Sequence, residues 1–338
     1  MGVTRREAVL LATALAVTPR VAWAEAPPPP VFAEFGQTSP DRAAYDQAID
    51  RGADFIVTPL VAAKDGALVV APDLELSTLT DVGRRPEFAD RRRDATIDGA
   101  PASGWFCVDF TLAELKTLVT GPPPKSGGRA APPSTLLSLQ EAIDIARAGS
   151  VRQARVIGVS PRLVHPAYFA AQELNLEPRL ADAIRLAGYD SRAAAMIVQS
   201  REPASLKALA GLSNVRRIQV IDAAGGPADP AALRYAAMIE SDGLKTVAGW
   251  ANGIAPTESL LIQPGPKGAV LATGLAAAAH TAGLTIYARA APPAPHESGL
   301  RGRLVALFLS GADGVMCADP GQAARARGEA ADRLHPAD

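Results

Sequence analysis

The first residues whose types could do chemistry stand in VFAEFGQTSP, residues 31–40. The run VFAEF predicts a β-strand, and Glu34 and Phe35 stand at its carboxyl end. In α/β barrels, the groups that act on a substrate lie where the strands end. A carboxylate at this place could move a proton, hold a cation weakly or pair with an arginine.

Histidine, the usual acid–base group near neutral pH, is scarce in this chain. It has four histidines, His165, His280, His296 and His335, and none has an obvious Ser or Cys nucleophile beside it. There is also no G-x-S-x-G elbow. We expect His165, which follows a predicted strand, to make a structural hydrogen bond. His280 falls in a helical pattern, and the other two lie in proline-rich or terminal segments.

Length and charge restrict the class of protein. The chain has 338 residues, 48% of them hydrophobic, and a net charge of −1. This size fits one large barrel or two ordinary domains, and no basic run indicates nucleic-acid binding. Cys107 and Cys317 show no zinc spacing, and one disulfide or two buried thiols fit equally well.

The first residues predict an export signal rather than part of the fold. Arg5 and Arg6 precede an apolar run that ends in Ala22-Trp23-Ala24, as in a Tat-like signal peptide covering residues 1–24. Residues 25–30 form a proline-rich spacer. We therefore expect a periplasmic protein with no integral membrane segment after signal removal. An uncleaved interfacial anchor is the alternative.

The elements that must position these groups alternate between strand and helix patterns. Amphipathic helices are predicted over residues 40–52, 269–283 and 297–311. Predicted strands cover residues 31–35, 54–60, 154–160, 194–200, 216–222, 246–250, 284–289 and 314–318. Eight strands with connecting helices predict an α/β fold of the (β/α)8 TIM-barrel type, and a doubly wound sheet is the alternative.

One segment interrupts this alternation. Residues 83–135 contain no clear βα unit and predict a small insertion after the second strand region, placed as a lid over the barrel mouth. Within it, the RRR run at 91–93 predicts a solvated face, and the Pro/Gly tract at 121–133 predicts a loop or linker. The barrel would cover residues 31–330, followed by a tail at 331–338.

The stretch GADFIVTPLVAAKDGALVVAPDLELSTLTDV, residues 52–82, resembles the glycerophosphodiester phosphodiesterase family, in its periplasmic GlpQ-like branch. Further matches are DFTLAELKTL in the insertion, PRLVHPAYF at 161–169, VQSREPASLKAL at 198–209 and GADGVMCADP at 311–320. The similarity covers nearly the whole chain after the signal, in order. It implies a TIM barrel with a small insertion.

The resemblance also implies a site from which the family's chemistry has been removed. The family uses two catalytic histidines, an arginine and a lysine, and it binds Ca²⁺ or Mg²⁺ through carboxylates. The catalytic positions are occupied here by Glu34, Phe35, Pro72 and Val164. The metal-ligand positions are occupied by Ser39, Val57, Pro59 and Arg162. Such side chains offer few oxygen ligands, so no metal cofactor is expected.

The resemblance leaves three functions open. In the first, Glu34, Asp73, Arg162 and Arg201 bind a small anionic ligand such as a glycerophosphodiester without hydrolysing it. In the second, the chain is an active phosphoric diester hydrolase with a rebuilt site. In the third, the insertion docks a protein partner, and Phe35, Trp105 or Trp250 plugs the barrel mouth.

Overall fold

The computed structural model describes residues 27–121, 134–266, 269–292 and 299–334. Strands are labelled in chain order. Their bounds are β1 Val31–Ala33, β2 Phe55–Ala62, β3 Leu68–Val70, β4 Arg93–Ile97, β5 Ala100–Gly104, β6 Leu137–Ser138, β7 Gly158–Leu163, β8 Ile197–Ser200, β9 Arg216–Ile221, β10 Gly253–Pro256, β11 Ile262–Pro264, β12 Val270–Ala272, β13 Thr285–Arg289 and β14 Gly314–Cys317.

Eight of these strands close into a parallel barrel. The order is β1-β14-β13-β10-β9-β8-β7-β2, and β2 pairs back to β1 through Phe32 opposite Phe55. Strand β3 adds to β2 antiparallel, and β6 adds to β3. The prediction of a (β/α)8 barrel is therefore confirmed. Side chains alternate between the barrel interior and the helical layer, so every second residue at a strand's carboxyl end faces the mouth.

Helices cover the outside of the barrel. Their bounds are α1 Arg42–Asp50, α2 Leu112–Leu115, α3 Leu139–Gln153, α4 Pro166–Ala171, α5 Leu176–Leu186, α6 Pro203–Ala210, α7 Tyr235–Met238, α8 Ser241–Val247, α9 Leu275–Thr281, α10 Leu300–Leu309 and α11 Pro320–Leu334. Helix α1 shows why they form. Asp41 caps it by accepting from the Ala44 N–H, and it buries Tyr45, Ala48 and Ile49. No helix in the described ranges is long and apolar enough to cross a bilayer.

The described part of the insertion forms a cap built around the β4–β5 hairpin. Asp98 and Gly99 join the two strands, both with positive φ, as a two-residue hairpin turn requires. The prediction of a solvated RRR face holds for Arg92, which is exposed, but Arg91 and Arg93 are half-buried and make contacts within the cap. The Arg91 guanidinium lies 4.8 Å from the Phe110 ring, and Arg93 Nε donates to Asp109 Oδ2 at 2.8 Å. These cations stabilise the cap internally.

Two predicted elements differ in the structure. The run at 246–250 is not a strand, because α8 continues to Val247 and the sixth barrel strand is β10, beginning at Gly253. Trp250 in this run donates its indole N–H to Gln219 Oε1, which anchors the turn between helix and strand. Predicted helix 269–283 begins instead with β12, and only α9 is helical.

Several predictions lie outside the described residues. These are the signal peptide, the first part of the spacer, most of the Pro/Gly tract, His296 and His335. The cysteines are described, and the structure shows Cys107 and Cys317 as free, buried thiols. Burial raises the pKa of both thiols, so neither is a reactive nucleophile.

Candidate functional site

A cavity of about 990 Å³ opens at the carboxyl ends of the barrel strands, under the cap. Its floor is formed by residues that end different strands and face the barrel interior. Glu34 follows β1, Arg162 lies near the end of β7, Arg201 follows β8 and Arg289 ends β13. The barrel therefore brings together charged groups that lie far apart in the chain.

The ion pair between Glu34 and Arg162 occupies the deep side of this floor. Arg162 Nη1 donates to Glu34 Oε1 at 2.6 Å, and Arg162 is only 8% exposed. The Glu34 backbone N–H donates to the Cys317 carbonyl at 2.9 Å, which fixes the chain at this point. The two side chains neutralise each other in a site that water barely reaches.

A second carboxylate joins two further arginines. Asp222 Oδ2 accepts from Arg201 Nε at 2.8 Å, and Asp222 Oδ1 accepts from Arg289 Nη1 at 2.6 Å. Asp222 thus sets the spacing between the two guanidinium groups. We call Glu34, Arg162, Arg201, Asp222 and Arg289 the floor cluster.

The arginines of the floor cluster lower the pKa of its two carboxylates. Burial raises the pKa of Glu34, but attraction to Arg162, Arg289 and Arg201 outweighs it, so the pKa lies below its ordinary value. Burial likewise opposes ionisation of Asp222, and hydrogen bonds from Arg201 and Arg289 still hold its pKa below the ordinary value. Both carboxylates are therefore ionised at neutral pH.

Some polar atoms beside the floor have no hydrogen-bond partner among the residues that the structure describes. Buried Nε atoms of Arg162 and Arg289 and the Thr257 hydroxyl make no hydrogen bond within the described residues. The backbone of Thr257 forms a parallel bridge with that of Arg289, so the two residues lie on neighbouring strands. Guanidinium N–H groups donate hydrogen bonds, and an anionic oxygen suits them best, so the exposed N–H groups of the arginines that line the cavity are the candidate donors.

The rim of the cavity carries further titratable side chains, among them His165, Asp98 and Asp73. His165 Nδ1 lies 2.5 Å from Asp98 Oδ2 at the tip of the cap hairpin, and His165 Nε2 lies 3.8 Å from Asp73 Oδ1. The predicted structural hydrogen bond of His165 is thus confirmed. It joins the cap to the residue that precedes α4.

The cavity brings together most of the residues predicted from sequence. Those that line it are Glu34, Phe35, Pro59, Pro72, Asp73, Arg162, Val164 and Arg201. Of the roles open to the Glu34 carboxylate, the structure shows a pair with an arginine, Arg162. Asp73 lies beside His165, and Arg201 pairs with Asp222. Ser39 and Val57 contribute elsewhere: Ser39 Oγ donates to the Val70 carbonyl, and Val57 packs in the barrel interior.

The four metal-ligand positions suggested by the resemblance do not match the needs of a hard cation. Ca²⁺ and Mg²⁺ need about six oxygen ligands, several of them carboxylates. Val57 and Pro59 offer no side-chain oxygen, Ser39 is bonded to backbone, and Arg162 brings a positive charge. Over the described ranges, no group of three or more His, Cys, Asp or Glu side chains could hold a metal ion.

Sequence reasoning missed Asp222 and Arg289. Each stands at the end of a predicted strand, 216–222 and 284–289, two residues after an inward-facing apolar side chain, Val220 or Tyr287. Because side chains on a strand alternate between the two faces of the sheet, a residue two positions after an inward-facing one also faces inward. This alternation could have predicted that both side chains lie at the mouth of the barrel.

Comparison with known proteins agrees with this architecture. Residues 42–288 match the Glycerophosphoryl diester phosphodiesterase family. The chain is 28% identical over 265 residues to Glycerophosphodiester phosphodiesterase GDPD6 of Arabidopsis thaliana, covering 72% of this chain and 68% of that protein.

Solved structures show the same fold. The glycerophosphodiester phosphodiesterase of Agrobacterium tumefaciens superposes with a TM-score of 0.57 at 15% identity, covering 88% of this chain and 99% of that one. A phosphodiesterase of Oleispira antarctica, solved with the product sn-glycerol-3-phosphate, gives 0.56 at 17% identity, covering 88% and 96%. By the family match over most of its length, this chain belongs to the glycerophosphoryl diester phosphodiesterase family.

Proposed function

We propose that this barrel binds a small anionic ligand, such as a glycerophosphodiester, without a divalent cation, and that it has lost the hydrolysis typical of its family. Arg162, Arg201 and Arg289 hold the anion through their free N–H groups. The observation that carries this proposal is the 2.6 Å contact between Arg162 and Glu34. It places a fixed positive charge and its partner at the positions suggested for a metal ligand and a catalytic histidine.

Two features support loss of hydrolysis. Phosphodiester cleavage needs groups that move protons and a cation that stabilises negative charge on the phosphoryl oxygens. Pro72 and Val164 line the cavity where a histidine and a lysine would serve, and neither can move a proton or carry charge. Phe35, at the position suggested for an arginine, turns its ring onto Tyr45 at 5.2 Å.

Calorimetric titration of the mature chain with glycerophosphocholine tests the proposal. We expect the same dissociation constant in EDTA and in Ca²⁺, because guanidinium groups replace the metal. Arg289→Met should abolish most of the binding, and Arg301→Met, an exposed arginine on α10, should leave it unchanged. Binding that disappears in EDTA would refute the proposal.

A rebuilt hydrolase is the second candidate, and His165 favours it. This histidine lines the cavity and is oriented by Asp98, so its Nε2 could move a proton at a bound diester. If this candidate is right, glycerol 3-phosphate is released from glycerophosphocholine and His165→Gln stops the release. Release that His165→Gln and Glu34→Gln leave unchanged would point to a contaminating enzyme.

A protein-docking function has less support. Phe35, Trp105 and Trp250 do not close the mouth: Trp105 Nε1 donates to the Phe88 carbonyl inside the cap, and Trp250 bonds Gln219. The cavity remains open to a small ligand.

We also propose that residues 1–24 direct export to the periplasm. The support is the paired Arg5 and Arg6 before an apolar run and an A-x-A site. Terminal sequencing of the exported protein should begin at Glu25, and Arg5→Lys with Arg6→Lys should block export. A periplasmic yield that the double change does not lower would contradict a Tat route.

A further inference from the structure

The rim of the mouth cavity carries negative charge that the protein does not balance. Asp73, Asp98 and Glu202 line the cavity, and no lysine or arginine in the described ranges forms an ion pair with any of them. The basic side chain that contacts them is His165, whose imidazole lies 2.5 Å from Asp98 and 3.8 Å from Asp73. We call Asp73, Asp98 and Glu202 the acidic rim.

The arginines at the floor do not offset this charge, since each is already paired. Within the floor cluster, every arginine forms an ion pair with Glu34 or Asp222. Glu258, which also lines the cavity, pairs with Arg303 at 3.2 Å. Six carboxylates therefore stand against four arginines around the cavity, and an excess of negative charge remains even when His165 is protonated.

The carboxylates of the acidic rim lie close enough to repel one another. Burial raises the pKa of Glu202, and repulsion from Asp98 and Asp229 adds to this effect. Glu202 is only 8% exposed, and its Oε1 accepts from the Ala228 N–H at 2.8 Å, so this carboxylate is held in place. A positive charge on a ligand would stabilise such fixed neighbouring carboxylates.

An organic cation fits the acidic rim better than a metal ion does. In the part of the chain that the structure describes, no group of three or more His, Cys, Asp or Glu side chains could hold a metal ion. Ca²⁺ and Mg²⁺ need about six oxygen ligands in direct contact. A substituted ammonium group needs no such shell, because its charge attracts carboxylates over several ångströms.

The acidic rim lies next to the floor cluster. Arg201 and Glu202 are consecutive residues that follow β8, and both line the cavity. Their Cα atoms are about 3.8 Å apart, as in any trans peptide. One ligand can therefore reach both sets of charges with a short chain between its anionic and cationic groups.

We propose that the acidic rim binds an ammonium group, and that the ligand of this cavity is a zwitterion in which a short chain joins that ammonium to a phosphodiester. The proposal rests on the proposed function, because the phosphodiester lies on the floor cluster. Asp73 and Asp98 give the specificity, since they favour a charged alcohol moiety over a neutral one of the same shape.

The test compares two glycerol phosphodiesters of the same shape, the choline ester and the neohexyl ester, in which carbon replaces the ammonium nitrogen. Both are titrated into the mature chain by calorimetry in EDTA at about pH 8, where carboxylates are ionised. We expect the choline ester to bind on the order of ten-fold more tightly at low salt. Added salt should reduce the ratio of the two affinities, because it screens charges near the surface.

Asp73→Asn and Asp98→Asn each keep the shape of the side chain and remove one negative charge. Each should lower the affinity ratio by about three-fold, and the double variant should bring it near one. Asp94→Asn, an exposed residue of the cap hairpin, is the matched control and should leave the ratio unchanged. Equal affinities in wild type, or a ratio that neither rim variant changes, overturn the inference and leave the proposed function intact. If neither ester binds, the proposed function itself fails and this inference with it.

Discussion

Arg162 is the central residue of the floor cluster. A buried arginine is tolerated only with a partner, and Glu34 supplies it at the bottom of the cavity. The pair holds the guanidinium in a fixed orientation at the cavity floor, which is the basis of the anion binding proposed above.

Removing the Glu34 carboxylate should destabilise the fold. Glu34→Ala leaves Arg162 buried without its partner, and we expect the free energy of unfolding to fall by about 3 kcal/mol. Urea denaturation measures this. Asp242→Ala, which removes an exposed partner of Lys245, is the control and should leave the free energy of unfolding nearly unchanged. Equal losses in the two variants would mean that the Glu34 pair contributes no more than a surface pair.

Acid should remove the contribution of Glu34. Because the folded pKa lies below the unfolded value, its stabilisation is complete above the unfolded pKa of about 4.3 and is lost as pH falls through the lower folded pKa. The stability advantage of wild type over Glu34→Gln should therefore shrink below about pH 4.3. Chemical denaturation over a pH series measures it, and an advantage that does not change with pH would contradict this assignment.

At the residue scale, sequence reasoning succeeded where the resemblance supplied a position. Glu34, Asp73, Arg162 and Arg201 all line one cavity as predicted. It failed for Asp222, whose role depends on two arginines from other strands. Period-two alternation could have placed Asp222 near the mouth, but its partners could not be predicted, because the partnership exists only after the barrel closes.

At the scale of elements, the β4–β5 hairpin of the cap contacts helix α4 and the residue before it at the mouth of the barrel. The tip of the β4–β5 hairpin reaches His165 through Asp98. Access to the cavity passes beside this contact, since both residues line it.

Asp98→Ala should loosen the hairpin. Loss of the contact with His165 removes about 1 kcal/mol from local stability, so amide exchange over β4 and β5 should rise about five-fold. Asp94→Ala, exposed on the same hairpin, is the control. Exchange that does not change in Asp98→Ala would show that the contact with His165 does not stabilise the hairpin.

Strand β10 depends on a glycine. A Cβ on Gly253 would lie 2.8 Å from the Thr285 carbonyl oxygen of β13. Gly253→Ala should therefore lower the free energy of unfolding by about 1–3 kcal/mol, whereas Gly328→Ala, in open space on α11, should raise it by about 0.5–1 kcal/mol. Thermal or urea unfolding of both variants checks this. Stabilisation by Gly253→Ala would be the contrary result.

This glycine also explains an error in the predicted elements. The run at 246–250 has an apolar composition typical of a strand, but it ends a helix and anchors Trp250. The strand itself, Gly253–Pro256, contains a glycine and a proline and is short. Its place is determined by pairing with β9 and β13, which are distant in sequence and cannot be inferred from local composition.

At the scale of the whole molecule, the chain keeps the barrel of its family. The match over residues 42–288 and the closed sheet of eight parallel strands agree on this architecture. In such barrels the residues at the strand ends set the function, and the same scaffold supports different chemistry at its mouth.

The most direct measurement follows binding and hydrolysis of glycerophosphocholine in one sample of the mature chain, with and without Ca²⁺. A family member that keeps both catalytic histidines serves as the positive control. We predict saturable binding in EDTA, unchanged by Ca²⁺, and no release of glycerol 3-phosphate. Release that requires Ca²⁺ and is abolished by Glu34→Gln would contradict the account.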